Sequence, residues 1–281
     1  MEKVLIFGTG RVGNALNYTL ASTVERIENV SSRLTLTEIN KSLGGGIRSF
    51  QTIIWAGRDA GLPTNPDNSS VLFCDLLQEI ERTSWRGYFV FLSSAGEIYG
   101  EVRNLPAQET DEISPISNYG KLKAKHENLL FNLAKKDSLR VLVIRISNIY
   151  EVSLNDPGIV GALLRSALLG DQFKLQGGHQ VRDFIALTDL IISVHKLLSY
   201  KVVGVYNVAT GHSISIDELA AKIEDLTMKT ITAKRGNKGV GINCSRISIR
   251  KLEELLKWKP NPIEYHLQQM NKPILGLGEL T

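Results

Sequence analysis

Tyr88-Phe89-Val90-Phe91-Leu92-Ser93-Ser94 is an unbroken apolar run that stops on two hydroxyls. A strand that is apolar on both faces, rather than alternating, predicts a parallel sheet covered by helices on both sides. The polar residues at its carboxyl end then fall where open α/β sheets bind ligands. Further on, Ser117-Asn118 predicts a helix cap, and it sets Tyr119 and Lys123 one turn apart on the first face of that helix.

That spacing has a chemical reading. A free tyrosine hydroxyl titrates near pH ~10, too high for easy proton exchange at neutrality. An ammonium one turn away favours the phenolate and pulls that pKa down. With Ser94 on the strand end holding a carbonyl or hydroxyl against the phenol, Ser94, Tyr119 and Lys123 form an acid/base set for alcohol–ketone chemistry. The same spacing also fits an exposed i,i+4 pair on an amphipathic helix. The residues alone leave both open.

Toward the start of the chain, Val4–Phe7 runs into Gly8-Thr9-Gly10-Arg11-Val12-Gly13 and then into the helix-like Asn14–Ala21. This is G-x-G-x-x-G between a strand and a helix. Its glycines allow a tight turn and close approach of backbone to a pyrophosphate, which then sits on the helix amino end. Gly8, Gly10, Arg11, Val12 and Gly13 are therefore candidate contacts to a dinucleotide. The second strand is expected to end at Val30. A site preferring NAD carries an acid ~20 positions beyond the glycines, whereas this chain has Ser31-Ser32-Arg33. Two hydroxyls and a guanidinium suit a 2′-phosphate, which favours NADP over the alternative, NAD. A polar turn with a solvated arginine is the other reading. Leu34–Phe50 is short and glycine-rich, and no acidic residue following a third strand is placed in it. Thr52–Trp55 is read as the fourth strand, ending in Ala56-Gly57-Arg58. The small Ala56 and Gly57 let backbone approach the cofactor, and Arg58 faces a phosphate or solvent.

Asn68-Ser69-Ser70 predicts the cap of a helix to about Arg82, and the Tyr119 helix is expected to reach about Lys136. Leu139–Ile146 reads as a buried strand, Ile159–Leu169 as an apolar helix, Gly204–Ala209 as a strand, and Ile216–Leu226 as a helix capped by Ser215. Alternating strands and helices predict an α/β, doubly wound parallel sheet.

Several segments together resemble the extended short-chain dehydrogenase/reductases, the group of nucleotide-sugar epimerases, dehydratases and ketoreductases. They are SSAGEIYG with SPISNYGKLK, Arg145-Ile146-Ser147-Asn148-Ile149-Tyr150, Gly177 through Arg182-Asp183-Phe184-Ile185 to Asp189-Leu190, and the Lys251–Pro260 helix end. The resemblance covers Val4 to Pro260. It implies a Rossmann-like sheet with a smaller carboxyl-terminal substrate-binding region. The expected division is 1–150 with 181–210 for the dinucleotide, and 151–180 with 211–281 for the substrate. It also implies that Tyr119 and Lys123 act with Ser94, Lys123 holding the nicotinamide ribose, and that backbone at Ile146 contacts the nicotinamide. Asn148, Ala95 and Glu97 would meet the substrate, and Arg182, supported by Arg235, would grip its diphosphate. The chain departs from the family pattern at three places. Phe7 stands where an earlier glycine is common, Ala95 where many relatives carry the catalytic Ser or Thr, and Gly96 where many carry an acid.

The reading is therefore NADP(H)-dependent hydride transfer at a hexose carbon of a nucleoside-diphosphate sugar, foremost reduction of a 4-keto sugar. The alternatives are a 4-epimerase retaining NAD, and, from another class, a non-catalytic dinucleotide-binding sensor. The family usually forms homodimers. Composition excludes other classes: 281 residues, 43% apolar and 22% charged, are ordinary for a soluble globular protein. No apolar run approaches the ~20 residues of a membrane span, and the first apolar segment is too short for a signal peptide. Cys74 and Cys244 are far apart without partner motifs, and the five histidines are scattered, so a reducing cytoplasmic setting without a metal is expected. The +4 charge comes with no nucleic-acid motif.

Overall fold

The computed structural model describes residues 2–57, 66–101, 105–137, 139–236 and 241–270; within these, the side chains of residues 66–70, 137, 176 and 235 are left aside. The chain opens with β1 (Lys3–Phe7), α1 (Arg11–Leu20), β2 (Arg26–Val30), α2 (Leu36–Ser42) and β3 (Thr52–Trp55). It continues through α3 (Pro66–Thr83), β4 (Tyr88–Ser94), α4 (Ala95–Ile98), α5 (Asn118–Asp137), β5 (Arg140–Ile146) and β6 (Asn148–Tyr150). Then come α6 (Ile159–Leu169), β7 (Phe173–Gln176), β8 (Val181–Ala186), α7 (Leu187–Ser199) and β9 (Gly204–Val208). The last elements are β10 (Ser213–Ser215), α8 (Ile216–Thr227), β11 (Ala233–Gly236), α9 (Arg250–Leu256) and α10 (Ile263–Gln268).

Six strands form one sheet in the order β2-β1-β3-β4-β5-β9. β1 runs parallel to both β2 and β3, and β3 parallel to β4. The first six residues of β4 are all buried, as an apolar run covered on both faces requires. The α/β doubly wound, Rossmann-like expectation therefore holds. The strand count needs correcting. Thr52–Trp55 is the third strand of the chain, not the fourth, and it pairs directly with β1. Leu34–Phe50 contains α2 and a short 3₁₀ turn at Ile47–Ser49 instead of a strand. The reason is local: the Thr35 hydroxyl accepts from the Glu38 amide while the Glu38 carboxylate accepts from the Thr35 amide, a reciprocal cap that starts a helix. α3 likewise begins earlier than its serines suggested, with Pro66 as its first residue, where proline's fixed φ suits a first turn.

The chain divides into two compact units, the first comprising 1–98, 115–145 and 191–206, the second 99–114, 146–190 and 207–281. The core of the first joins Leu5, Phe7, Ile53, Trp55, Phe73, Phe89, Phe91 and Val143. Phe7 stacks on Trp55 at 5.4 Å, and Phe73 meets the Trp55 edge at 4.9 Å. Each such ring contributes about 1.5–3 kcal/mol by leaving water. The core of the second unit gathers Tyr150, Leu163, Leu164, Phe184, Leu219 and Ile223, with Ile263 and Leu267 from α10. Its sheets are smaller, one ordered β10-β8-β6 and one pairing β11 with β7. Among the described residues no helix is long and apolar enough to cross a membrane.

Candidate active site

In the first unit the carboxyl ends of β1, β2 and β3 converge. The Gly8 amide donates to the Val30 carbonyl at 2.8 Å, and the Ala56 amide to the Phe7 carbonyl at 2.9 Å. Gly8 has φ +130°, and a Cβ there would lie 2.8 Å from the Ala56 carbonyl carbon. A Cβ on Gly13 would lie 1.8 Å from the Gly8 carbonyl oxygen. Both glycines are required by the chain's own packing. Gly10 is different, because a Cβ there meets nothing within 4 Å. It also begins α1 with no side-chain cap and no acid in the first turn, which contains Arg11 and Val12. A free helix amino end under open backbone suits an anion.

Ser32 reaches the same place, since a Cβ on Gly57 would lie 3.2 Å from the Ser32 Cβ. Ser31 is partly engaged: its hydroxyl accepts from the Arg33 amide at 3.2 Å, while the Arg33 side chain is exposed. Arg58 lies outside the described residues. Sequence reasoning passed over Asn14, whose amide group donates to the Thr9 carbonyl at 3.0 Å and accepts from Asn29 at 3.0 Å, tying the glycine loop to β2. Only the long-range pairing of β1 with β2 reveals that link.

The β4 end and α5 carry the acid/base candidates. Lys123 is 2% exposed, so the solvated i,i+4 reading falls. Its ammonium donates to the Leu92 carbonyl at 3.2 Å and lies 4.9 Å from the Phe91 ring centre and 5.7 Å from that of Tyr119. Tyr119 and Ser94 are half-buried, and Ala95 is buried. Ser117 accepts from the Gly120 amide at 3.0 Å, which caps α5, and its hydroxyl donates to Glu97 at 2.6 Å. A Cβ on Gly120 would lie 2.6 Å from the Glu97 carbonyl oxygen, so α4 and the first turn of α5 are in close contact. One turn further, His126 is fully buried and stacks on Phe73 at 4.2 Å. Burial, then the Lys123 and Lys125 charges, push its pKa down to about 3 and keep the imidazole neutral.

The second unit holds the remaining candidates. Ile146 is buried at the end of β5, and Asn148 donates to the Asp183 carbonyl at 3.1 Å. The Arg182 guanidinium donates to the Val181 and Ile242 carbonyls at 2.9 and 2.7 Å. Asp183 is fully buried and its carboxylate accepts from the Thr210 amide and hydroxyl and the Gly211 amide, all within 3.0 Å. Burial pushes its pKa up to about 6, against the pull of those bonds. Arg235 lies in β11 opposite Leu175, and its side chain is outside the description. Among the described residues no group of three metal-ligating side chains occurs.

A glycine loop on the uncapped α1, with a buried ammonium beside a tyrosine on α5, is the setting in which similarity to known proteins is informative. Residues 70–270 match the family model described as GDP-mannose 4,6 dehydratase. The chain belongs to that family, one of the extended short-chain dehydrogenase/reductases. A UDP-glucose 4-epimerase of Lactobacillus helveticus is 26% identical over 216 residues, covering 69% of this chain but only 65% of the relative's length. Among solved structures, the Thermus thermophilus UDP-glucose 4-epimerase complex with NAD superposes with TM-score 0.78 at 20% identity, covering 96% of this chain and all of that one. The Pseudomonas aeruginosa protein RMD complexed with NADPH superposes with TM-score 0.80 at 24% identity, covering 98% of each chain. At those identities the superpositions establish the fold. Membership of the family rests on the matched model.

Proposed function

We propose that the protein is an oxidoreductase of nucleoside-diphosphate sugars that uses a nicotinamide dinucleotide, and that it performs NADP(H)-dependent reduction of a 4-keto hexose with Tyr119 as general acid. The observation that carries this reading is the buried Lys123 ammonium 5.7 Å from the Tyr119 ring centre. A buried cation is costly to keep, and this one leaves N–H donors beyond the one given to Leu92.

The residues fit a dinucleotide. Gly10 leaves room for its pyrophosphate over the uncapped α1, Gly8 and Gly13 shape the loop, and Ser31, Ser32 and Arg33 meet the adenosine ribose, with Ala56 and Gly57 flanking. When bound, the cofactor supplies or takes up the hydride. Tyr119 gives the proton to the reacting oxygen, Ser94 orients that oxygen, and Lys123 holds the nicotinamide ribose, with Ile146 backbone nearby. Ala95, Glu97 and Asn148 meet the sugar, and Arg182 and Arg235 grip the diphosphate. Holding the remote nucleotide fixes the sugar carbon, so positioning provides part of the rate.

Glu97 speaks against dehydration, because its carboxylate is held by Ser117 and its neighbour is Gly96. One likeness favours a second reading, a 4-epimerase retaining NAD: the Thermus thermophilus UDP-glucose 4-epimerase that this chain superposes on is a complex with NAD. Mass spectrometry on the freshly purified, denatured protein distinguishes the two. The reductase reading expects little retained NAD, NADPH binding in titration, and turnover of a 4-keto sugar nucleotide from a panel. Stoichiometric NAD would replace it with the epimerase. Absence of turnover with every substrate of either class would leave a dinucleotide sensor.

A further inference from the structure

The amino ends of the sheet strands carry a second concave site. Parallel sheets bind ligands at their carboxyl ends, and the glycine loop after β1 is there. A separate cavity of about 580 Å³ lies at the opposite edge, where Thr52, Tyr88 and Arg140 open β3, β4 and β5 and Glu2 precedes β1. At ~3.3 Å per strand residue, a five-residue β1 sets the two sites roughly 15 Å apart. All of the cavity's lining belongs to the first unit.

The lining carries four cations, Arg48, Arg86, Arg140 and Lys201, against the single carboxylate of Glu2. That carboxylate is already bonded by the Lys201 ammonium and the Thr52 hydroxyl. Arg140 also acts on the Glu2 carboxylate and Arg48 on that of Glu79, and the lining keeps an excess of positive charge. Two of the guanidiniums are also oriented. Arg140 stacks over the Tyr88 ring at 5.2 Å and gives one N–H to the Lys201 carbonyl at 3.0 Å. Arg86 gives one to the Trp85 carbonyl at 3.3 Å. The floor is rigid. Tyr88 donates its hydroxyl to the Val202 carbonyl at 2.6 Å, and the Trp85 indole donates to the Phe50 carbonyl at 2.7 Å. Trp85 packs so closely over Gly87 that a Cβ there would lie 2.1 Å from the ring. Exposed guanidinium forks around the groove, Arg86 and Arg140 among them oriented, match the paired oxygens of phosphate groups, and the volume is within the range of small-ligand sites.

We propose that the open groove at the amino edge of the sheet, rimmed by the exposed Arg48, Arg86 and Arg140, binds a small metabolite through a diphosphate group, separately from the dinucleotide and substrate sites. The test is calorimetric titration of the full chain, saturated with dinucleotide, using inorganic pyrophosphate. In Arg182→Ala protein, where the proposed grip on the substrate's diphosphate is removed, one equivalent should still bind, and adding Arg48→Ala with Arg140→Ala should weaken it at least ten-fold. The affinity should also fall as salt is raised. Arg48→Ala alone, at an exposed position, carries the test if the combined variant loses its circular dichroism. No binding at millimolar pyrophosphate would overturn the proposal. So would binding insensitive to the Arg48 and Arg140 changes, or binding abolished by Arg182→Ala.

Discussion

Lys123 in the first unit and Asp183 in the second are both buried charges, and they differ in how they are occupied. The Asp183 carboxylate accepts three short bonds from Thr210 and Gly211, so its hydrogen-bonding capacity is spent on holding a turn. The Lys123 ammonium gives one bond to a strand carbonyl and otherwise faces the Phe91 and Tyr119 rings. A buried charge consumed by backbone is a clamp. One that keeps donors beside a half-buried phenol is what the proposed general acid requires. Sequence adjacency to a motif does not tell these apart; the partners do.

The largest test of that contrast is Tyr119→Phe. General acid catalysis contributes roughly 10²–10⁴-fold, so turnover should fall about 10³-fold, with thermal stability and dinucleotide affinity unchanged. Steady-state kinetics beside a thermal melt checks it. A variant retaining a tenth of wild-type turnover would remove Tyr119 from the chemistry. Asp183→Ala should show the opposite pattern. It leaves buried amide donors without an acceptor, and the loss should be about 3 kcal/mol in chemical denaturation. A loss below 1 kcal/mol would mean that Asp183 is not the clamp.

The legible part of the molecule is what short-range pattern controls. The β4 apolar run, the glycine loop and the Ser215 cap of α8 each carry their signal within a few residues, and the structure has those elements. The Thr35–Glu38 cap was equally local and was passed over for the glycines after it. Other features were hidden because they depend on tertiary proximity. Asn14 meets Asn29 through the β1–β2 pairing, Glu97 meets Ser117 across 20 residues, and Asp183 meets Thr210 across 27. For Glu97 this matters chemically, since the carboxylate proposed to meet the sugar also accepts from the Ser117 cap of α5.

The glycine loop sharpens the comparison between structural and functional demand. Gly13→Ala drives a Cβ into the Gly8 carbonyl and should cost about 2 kcal/mol by overpacking. Gly10→Ala meets no protein atom within 4 Å, so it should leave the melting temperature unchanged and weaken only dinucleotide binding. Equal destabilisation by both would show that the loop is shaped by folding alone.

His126 and Asp183 titrate with opposite signs. His126 is held at about 3 when folded, below its unfolded value near ~6.5. Its contribution is therefore present above pH ~6.5 and is lost as the pH falls, by about 1.5 kcal/mol between pH 6.5 and 5. Asp183 is raised to about 6, so its contribution runs the other way and returns about 1 kcal/mol over the same interval as the carboxyl protonates. The two contributions largely offset each other in the wild type. His126→Leu should gain stability on acidification and Asp183→Asn should lose it. Denaturant titrations at the two pH values check both slopes, and parallel slopes in the two variants would contradict the assignment.

The smallest effect concerns the cofactor. Arg33 is exposed, and a surface guanidinium meeting a 2′-phosphate contributes about 1 kcal/mol. Arg33→Ala should therefore weaken NADPH about five-fold and leave NADH unchanged, measured by fluorescence titration. The turn itself is held by the Ser31 hydroxyl on the Arg33 amide. Ser31→Ala should loosen that turn, so it should affect both cofactors if the serine only shapes the loop, and NADPH alone if it touches the phosphate. Equal weakening of both cofactors by Arg33→Ala would sink the preference for NADP and leave the retained-NAD epimerase as the better reading.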